Sequence, residues 1–273
     1  MFKTLIALFI ITTSTASMAC PGASCKTDVE LKVNLTQNGF ETLKKIFLKK
    51  FDGEESQRSD YYFDIFQNNH YFLKTAEPPI KLRYMWNGKD LSWQTQKTTK
   101  TDARSIFSIK TTDAISMDIK HDNKIFEEIQ NYHAALAKLD PYALTIAKNI
   151  QQEMLDAGVI DFTRTQCQQC TTGAKYFSTH MNTKNRVKIK LKLDDDQFTV
   201  QLGTTNNRGV VTYELEAEIK KSSDLYKSAD RLNNWLQSLG FNSSQIDIAV
   251  PAEPTAISEE QLNKLFVLGV QNN

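Results

Sequence analysis

The chain has 273 residues, of which 40% are hydrophobic, and it carries 33 basic and 32 acidic side chains. This length and hydrophobic content suffice for one large globular domain or two small ones. The nearly balanced charge excludes a strong overall field that would favour nucleic acid or an anionic membrane as a partner. The charges are instead segregated locally along the chain.

The first 19 residues have the pattern of an export signal. Lys3 gives a positive start, an apolar run covers residues 5–11, and small residues follow at 17–19. The run is too short to span a bilayer, and no later segment approaches about 18 apolar residues. We therefore expect an exported protein, periplasmic or secreted, that begins near Cys20 and has no membrane span. A lipid anchor at Cys20 is an alternative to a soluble exported form.

Four cysteines would remain after cleavage, and Cys167 and Cys170 form a CxxC motif. Together with Cys20 and Cys25 they are compatible with a four-thiolate zinc site. Disulfides are the simpler interpretation in an exported protein, because oxidising compartments preserve them. The sequence leaves the pairing undetermined. A thioredoxin-like role would require a βαβ pattern around this motif, and the sequence has no such pattern there.

The N-terminal half is predicted to consist of strands and turns around one helix. After a charged strand at about 27–35, Thr36 is an N-cap residue for a helix whose apolar residues recur at helical spacing up to Phe51. A polar loop over 52–59 follows. Turn signals at 68–69 and 87–88 favour antiparallel hairpins. The predicted strands after this loop cover residues 60–66, 70–74, 80–86, 91–98 and 106–110.

Two helices are predicted to interrupt the strands over about 122–158, with Asp140-Pro141 opening the second helix. Strands resume with a cationic segment and finish with an acidic one. C-terminal helices over 223–273 follow, the last opening with a capping box at Ser258. No repeat or long linker divides the chain, so we expect a single domain over 20–273.

Four of the predicted strands alternate apolar and charged residues. A period of two places all the charges of a strand on one face. A row of like charges repels itself unless an opposite charge lies along it. The four strands are Asp28–Val33, Ile80–Tyr84, the cationic Arg186–Leu193 and the acidic Tyr213–Ile219.

Two arrangements account for these charged faces. In one they face water, as Lys and Glu on edge strands commonly do. In the other they line the lumen of a closed antiparallel barrel of about eight strands, with helices outside, which is an α+β fold. We favour the lumen, because four strands share the pattern. Cations confined in a lumen require a polyanion and carboxylates require a metal, so we expect an oligophosphate with Mg²⁺ or Mn²⁺.

The motifs on these strands resemble those of the CYTH superfamily, the triphosphate tunnel metalloenzymes. Asp28–Lys32 resembles the ExExK signature, and Lys81–Arg83 resembles the RxR motif. The matches keep the family order from about residue 27 to 220, and on them the chain is identified as a divergent exported member. The other matches are Tyr62–Asp64 with a YFD segment, Trp93–Lys97 with a strand ending in a phosphate-binding lysine, Lys184–Arg186 with a basic strand and Glu214–Glu216 with a late ExE strand.

This resemblance implies a closed eight-stranded antiparallel tunnel in which carboxylates bind a divalent metal and basic residues hold a triphosphate. Family members hydrolyse inorganic, thiamine, nucleoside or RNA 5′-triphosphates, and some cyclise ATP. A catalytic role is implied for Glu30 and Lys32. The implied metal ligands are Asp28, Glu30, Glu214, Glu216 and Glu218, and the implied phosphate-binding residues are Lys32, Lys81, Arg83, Lys97, Arg186, Lys188 and Lys190.

The sequence also departs from the family pattern. Asp28 replaces a glutamate, and Lys81 replaces an arginine and so loses its bidentate fork. Gln94 and Gln96 stand where apolar residues are expected. Arg104–Ser108 stands where many members carry an RxExE strand, and both of its carboxylates are absent. This last departure argues against a second metal site.

Three functions are consistent with these features. The leading expectation is a triphosphatase that hydrolyses inorganic tripolyphosphate or an organic triphosphate with a divalent metal. The alternatives are cyclisation of ATP and a non-catalytic exported module that binds polyphosphate or another polyanion. No nucleic acid is expected as a partner. The chain lacks P-loop, dinucleotide-binding and nucleophile-elbow motifs, and its four histidines, expected on the surface or in loops, form no short metal-binding spacing.

Overall fold

The computed structural model describes residues 24–67, 70–73, 75, 80–86, 91–104, 106–119, 123–159, 175–207, 209–221, 224–247, 258 and 260–264. Its strands are β1 (Ser24–Leu35), β2 (Glu54–Gln67), β3 (His70–Tyr71), β4 (Ile80–Trp86), β5 (Leu91–Arg104), β6 (Phe107–Ile119), β7 (Lys175–Leu193), β8 (Asp196–Asn207) and β9 (Val210–Lys221). Its helices are α1 (Gln37–Lys50), α2 (Asn123–Ala137), α3 (Tyr142–Asp156) and α4 (Leu225–Ser238), with a 3₁₀ turn at Ser243–Gln245 and helical residues 260–264. The predicted export signal and three of the cysteines, Cys20, Cys167 and Cys170, lie outside these ranges.

The strands form one curled antiparallel sheet. Their order is β3-β2-β4-β5-β6-β1-β9-β8-β7, and every pair is antiparallel. β2 pairs with β4 on one side and with β7 on the other, from Glu54 opposite Lys188 to Phe66 opposite Lys175. The predicted α+β class and the antiparallel pairing are therefore observed.

Several strands are longer than the sequence predicted. Residues 54–59, predicted as a polar loop, belong to β2, because they pair with residues 183–188 of β7. β7 begins at Lys175 and not at Arg186, and β6 extends to Ile119. The alternation signal was too local to reveal these extensions, since the added residues are mainly polar and acquire their strand character from pairing.

Two hydrophobic clusters cover one face of the sheet. The first joins β2, β4 and the start of β7 to helices α2 and α3, with Tyr61, Leu82 and Ile129 among its buried members. The second joins β1, β8, β9 and the end of β7 to helices α1 and α4, with Leu31 and Leu215 at its centre. The helices thus bury the apolar half of each alternating strand.

Local capping explains where several helices begin. The Thr36 hydroxyl accepts a hydrogen bond from the Gly39 amide at 3.1 Å, as expected of an N-cap residue. The predicted capping box at Ser258 is present, because the Gln261 amide donates to the Ser258 hydroxyl at 3.0 Å and the Gln261 side chain accepts from the Ser258 amide at 3.1 Å.

None of the helices in the described part of the chain combines the length and the hydropathy needed to cross a lipid bilayer.

Candidate functional site

The charged residues of the alternating strands lie on the face of the sheet opposite the two hydrophobic clusters. On β1, Glu30 and Lys32 flank the fully buried Leu31, and on β9 Glu214 and Glu216 flank the fully buried Leu215. Since side chains alternate along a strand, these charges are on the side that the helices do not cover. We call this side the ionic face.

Three carboxylates and two lysines form one group on the ionic face, which we call the carboxylate cluster. Lys110 Nζ donates to Glu30 Oε2 at 2.7 Å and lies 3.9 Å from Glu216 Oε1. Lys32 Nζ donates to Glu214 and lies 3.6 Å from Glu216 Oε1. Only 12% of the Glu214 and Glu216 side chains is exposed, so these ion pairs are shielded from bulk water.

Strand register places Lys110 in this cluster. β1 lies between β6 and β9, with Glu30 opposite Lys110 of β6 and Lys32 opposite Glu216 of β9. Ser108, the next residue of β6 on the same face, donates its hydroxyl to the Lys32 carbonyl oxygen at 3.2 Å. β6 therefore contributes a lysine and a serine to the ionic face beside the ExExK-like motif.

A second group, the cationic cluster, surrounds the fully buried carboxylate of Asp60 on β2. Arg58 Nε lies 2.6 Å from Asp60 Oδ1, and Arg58 Nη2 donates to Oδ2 at 2.9 Å. Arg83 Nη1 of β4 donates to the same Oδ2 at 3.3 Å, and Lys184 Nζ of β7 lies 3.9 Å from it. Three cationic side chains thus share one carboxylate, which leaves a local excess of positive charge.

A hydrogen-bonded chain fixes the orientation of Arg83. Its Nε donates to Gln94 Oε1 at 2.9 Å, Nη2 contacts the same oxygen, and Gln94 Nε2 donates to the Ser116 hydroxyl at 2.8 Å. Gln94 was predicted to stand where an apolar residue is expected. The structure shows that its amide lies on the ionic face and holds the guanidinium.

The ionisation of the cationic cluster follows from these contacts. Burial alone would raise the pKa of Asp60, but the charges of Arg83, Arg58 and Lys184 outweigh it and lower the pKa to about 2. Burial and the nearby Arg83 lower the pKa of Arg58 to about 10. Asp60 is therefore negative and Arg58 positive throughout the physiological range.

The two clusters share one electrostatic environment. Burial would raise the pKa of Glu216, but Lys32, Lys110, Lys184 and Arg186 hold it well below its ordinary value. Desolvation on the ionic face lowers the pKa of Lys81, although its side chain is exposed, and the like charges of Lys110, Lys184 and Arg83 lower it further. Because these residues come from β1, β4, β6, β7 and β9, the ionic faces of five strands lie near one another.

The structure does not bring every predicted residue to these clusters. Lys188 and Lys190 are exposed on the same face as Lys184 and Arg186, but farther along β7 toward its turn to β8. Glu218 pairs with Lys220, and Asp28 is half-buried opposite Thr112. Lys97 lies in β5 opposite Ile80, and its side chain is outside the described set.

Two other residues that the sequence singled out have structural roles. Asp64 of the YFD-like segment is buried, and its Oδ1 accepts from the Ile65 and Leu73 amides, each at 2.7 Å. Asp196 is the last of three consecutive aspartates that join two predicted strands, a pattern that predicts a solvated turn, but it is buried and accepts from Ser228 and from Arg231 of α4. Each carboxylate thus accepts hydrogen bonds from backbone or side-chain donors that need a partner in the fold.

Sequence reasoning missed four residues of the ionic face. Arg58 precedes the predicted strand over 60–66, and Asp60 begins it. Lys184 belongs to a motif without an assigned role, and Lys110 ends a predicted strand that has no charge alternation. A signal for Lys184 was present, because it continues the period-two row of Arg186 toward the N-terminus. Lys110 is identified only by its register with Glu30. His133 in α2 and His180 in β7 are half-buried, and neither lies in a loop.

The carboxylate cluster does not fit a divalent metal ion as its residues stand. The oxygens that would coordinate the ion, on Glu30, Glu214 and Glu216, are turned toward the ammonium groups of Lys32 and Lys110. A hard cation prefers six or more oxygen ligands that are free of such donors. Among the described residues, no three His, Cys, Asp or Glu side chains are grouped to hold an ion.

No protein-family model matches the sequence, and no curated protein matches it. Solved structures do. HpAC1 from Hippeastrum, an adenylyl cyclase candidate described as revealing a dominant triphosphatase activity, matches with a TM-score of 0.54 at 12% identity, over 90% of this chain and 96% of that one.

Two further structures match with lower TM-scores. An adenylate cyclase candidate from Bacillus halodurans gives 0.44 at 11% identity, over 83% of this chain and 95% of the other. The Pct1 RNA triphosphatase of S. pombe gives 0.38 at 10% identity, over 78% of each chain. Together with the antiparallel topology and the ordered motifs, the match to the Hippeastrum protein establishes that this chain has a CYTH-like fold.

Proposed function

We propose that this protein binds a linear triphosphate on the ionic face and hydrolyses it. The excess of cations around Asp60 is the observation that carries the proposal. Arg58, Arg83 and Lys184 contact a single carboxylate. Arg186 lies close enough to lower the pKa of Asp60, and the charges of Lys184 and Arg83 lower the pKa of Lys81. Confined like charges of this number require an anionic ligand of several charges.

We further propose that the ionic face lines a closed tunnel. Strand pairings run from β2 through β4, β5, β6, β1, β9 and β8 to β7, and β7 pairs again with β2. The pKa of Arg83 on β4 is raised in part by Glu216 on β9, although three strands separate β4 from β9 in either direction. This influence supports an arrangement in which the two side chains face each other across an interior.

Each group has a chemical role in the proposed reaction. Arg83, held by Gln94, presents a fixed guanidinium to a phosphoryl oxygen, and Lys184 adds a charge from β7, on the other side of β2. These cations stabilise the charge that develops on the transferred phosphoryl group, which is the main requirement of phosphoryl transfer. Glu30, the predicted catalytic carboxylate, orients water, and Lys32 remains protonated because Glu214 and Glu216 raise its pKa despite its burial.

The comparison with HpAC1 supports this reaction class. That protein shares the fold and is described as having a dominant triphosphatase activity. We take inorganic tripolyphosphate as the default substrate, because the cationic cluster recognises charge. Tyr62, whose hydroxyl lies 3.5 Å from Asp60 Oδ2, stacks on His180 with ring centroids 4.4 Å apart, so its ring already has a stacking partner. ATP cyclisation is the alternative that the adenylyl cyclase designation raises.

A second candidate function, binding without turnover, is favoured by one observation. β6 presents Lys110 and Ser108 opposite Glu30 and Lys32, near where the sequence resemblance implies the RxExE carboxylates. A protein that lacks these carboxylates retains the means to hold a polyanion. It has fewer groups with which to position water.

Turnover of tripolyphosphate by the full chain tests the leading proposal. We expect release of orthophosphate by the wild-type protein, measured with EDTA and with Mg²⁺ or Mn²⁺, and its loss in Glu30→Gln and Arg83→Ala. If circular dichroism shows that Arg83→Ala does not fold, Arg83→Lys replaces it in the assay, because this substitution keeps the charge. Lys192→Ala, an exposed lysine on β7, is the matched control and should retain turnover.

The products distinguish the alternatives. Pyrophosphate and a cyclic nucleotide from ATP would replace the hydrolytic proposal with cyclisation. Tight binding of tripolyphosphate with no product under any condition would favour the non-catalytic module. Turnover that persists in both Glu30→Gln and Arg83→Ala would contradict the assignment of the site.

We also propose that the protein is exported, on the basis of residues 1–19 alone. The N-terminal sequence of the protein isolated from its native cells tests this. A start near Cys20 is expected, and an intact Met1 would contradict it. Lipid on Cys20, detected by mass spectrometry, would identify the anchored form, and the same spectrum without reduction would give the disulfide pairing.

A further inference from the structure

Lys110 occupies the place in the carboxylate cluster where a cation would bind. Its ammonium group lies 2.7 Å from Glu30 Oε2 and 3.9 Å from Glu216 Oε1, and only 19% of its side chain is exposed. Two carboxylate oxygens from different strands therefore converge on one Nζ atom. Such convergence on a single positive centre is the arrangement that a bound metal ion would require.

Lys32 supplies a second ammonium group beside Glu216. Its Nζ contacts Glu214 and lies 3.6 Å from Glu216 Oε1. Glu216 is thus shared by two ammonium groups, which carry the same total charge as one divalent ion. A metal ion entering this group would have to displace both lysines, and their charges would then repel it at short range.

We infer that Lys110 and Lys32 take the place of a divalent cation in the carboxylate cluster, so that the protein binds triphosphate without a metal ion. This inference rests on the proposed function for the identity of the ligand. Its structural part, the occupation of the carboxylates by lysines, stands on the described contacts alone.

The position of Lys110 also connects the carboxylate cluster to the cationic cluster. Lys110 is near enough to Lys81 of β4 to lower its pKa, although β5 lies between β4 and β6. A triphosphate held by Arg83 and Lys184 would therefore meet Lys110 at its other end. The ammonium group would neutralise phosphoryl charge there, as a bound divalent ion does elsewhere.

Binding of Mn²⁺ to the protein without triphosphate tests the inference directly. Binding is measured by electron paramagnetic resonance of the free ion. We expect no saturable binding of Mn²⁺ to the wild-type protein below millimolar concentrations. Lys110→Gln removes the charge and supplies an amide oxygen, so it should bind Mn²⁺ at least about tenfold more tightly. Lys220→Ala removes a lysine that pairs with Glu218 at the exposed end of the same face, and it should behave as the wild-type protein does.

Tripolyphosphate binding by calorimetry supplies the second measurement. The dissociation constant of tripolyphosphate from the wild-type protein should be the same in EDTA as in a buffer with Mn²⁺ at a concentration that saturates neither the protein nor the tripolyphosphate. Saturable Mn²⁺ binding by the wild-type protein below millimolar Mn²⁺ would overturn the inference. This outcome needs no variant, so it holds even if Lys110→Gln does not fold.

The two proposals fail in different ways. If the wild-type protein binds no tripolyphosphate with or without Mn²⁺, the proposed function is wrong. The Mn²⁺ titrations of the wild-type protein and Lys110→Gln then still decide whether lysines replace the metal. If tripolyphosphate binds only when Mn²⁺ is present, the function stands and the lysine inference is overturned.

Discussion

Asp60 illustrates how a single residue organises the ionic face. Its carboxylate is fully buried and in contact with Arg58, Arg83 and Lys184, which come from three strands. A buried carboxylate without partners would be costly, and so would the three cations without it. Asp60 therefore acts as a positioning residue that holds cations together for a larger anion.

Removing this carboxylate should destabilise the protein. Asp60→Asn keeps the shape of the side chain but leaves the three cations uncompensated, and we expect a loss of about 3 kcal/mol in the free energy of unfolding. Urea denaturation measures this loss. Asp195→Asn, in the exposed turn between β7 and β8, is the control and should change stability by less than about 0.5 kcal/mol. Equal stability of the two variants would contradict the role of Asp60.

The same carboxylate should affect stability in acid. Its pKa is about 2 in the fold against 3.8 ordinarily, so it stabilises the folded state above pH 3.8. This contribution, about 2 kcal/mol, should be lost as the pH falls from 3.8 toward 2. Unfolding free energies measured across this range should fall more steeply for the wild-type protein than for Asp60→Asn. Parallel curves would contradict the depressed pKa.

Single residues also show where sequence reasoning stops. Glu30, Lys32 and Arg83 are recognisable because each stands in a short alternating motif. Lys110 stands in no such motif, and only the pairing of β6 with β1 brings it to Glu30. Strand register is a property of the assembled sheet, so the lysine that most affects the metal question could not be identified from the sequence.

At the scale of elements, β7 connects the two halves of the molecule. Its first part packs Tyr176 and Phe177 into the cluster under α2 and α3, and its last part packs Val187 and Ile189 under α1 and α4. Its outer lysines, Lys188 and Lys190, gave the clearest alternation signal, yet they are exposed. The signal identified the strand correctly but did not show which part of it reaches the clusters.

The start of α1 is held by the turn that follows α4. The Thr36 amide donates to the Gln245 carbonyl oxygen at 3.0 Å, and a Cβ at Gly39 would lie 2.5 Å from that oxygen and 2.9 Å from the Gln245 Cβ. Helix N-caps can be identified from sequence, as Thr36 was. The close approach of a distant turn cannot, because it depends on how the helices pack.

This contact predicts a specific sensitivity at Gly39. Gly39→Ala should separate α1 from the 3₁₀ turn and lower the free energy of unfolding by about 2 kcal/mol, as overpacking does. Thermal or urea unfolding measures the effect. Gly203→Ala is the control, because its Cβ would meet nothing closer than 3.7 Å. Equal tolerance of the two substitutions would show that the turn moves freely.

At the scale of the whole molecule, helices cover the apolar side of a sheet whose other side is ionic. The alternation in the sequence predicted this separation, and the turn signals at 68–69 and 87–88 predicted antiparallel hairpins. The strands together with the helical segments predicted the α+β class. The balance of charge on the ionic face could be determined only from the structure, because cations and carboxylates from six strands combine there. This balance of charge shows that the ionic face does not consist only of like charges that repel one another. It includes a cationic region that can bind an anion.

Calorimetric titration of the wild-type protein with tripolyphosphate tests the central claim most directly. We expect one tripolyphosphate to bind per protein, with an affinity that falls as salt is added, since salt screens charge. Lys184→Ala should weaken binding about tenfold or more, and Lys192→Ala, also on β7 but exposed, should leave it unchanged. Absence of binding by the wild-type protein, or equal affinity in the two variants, would contradict the account.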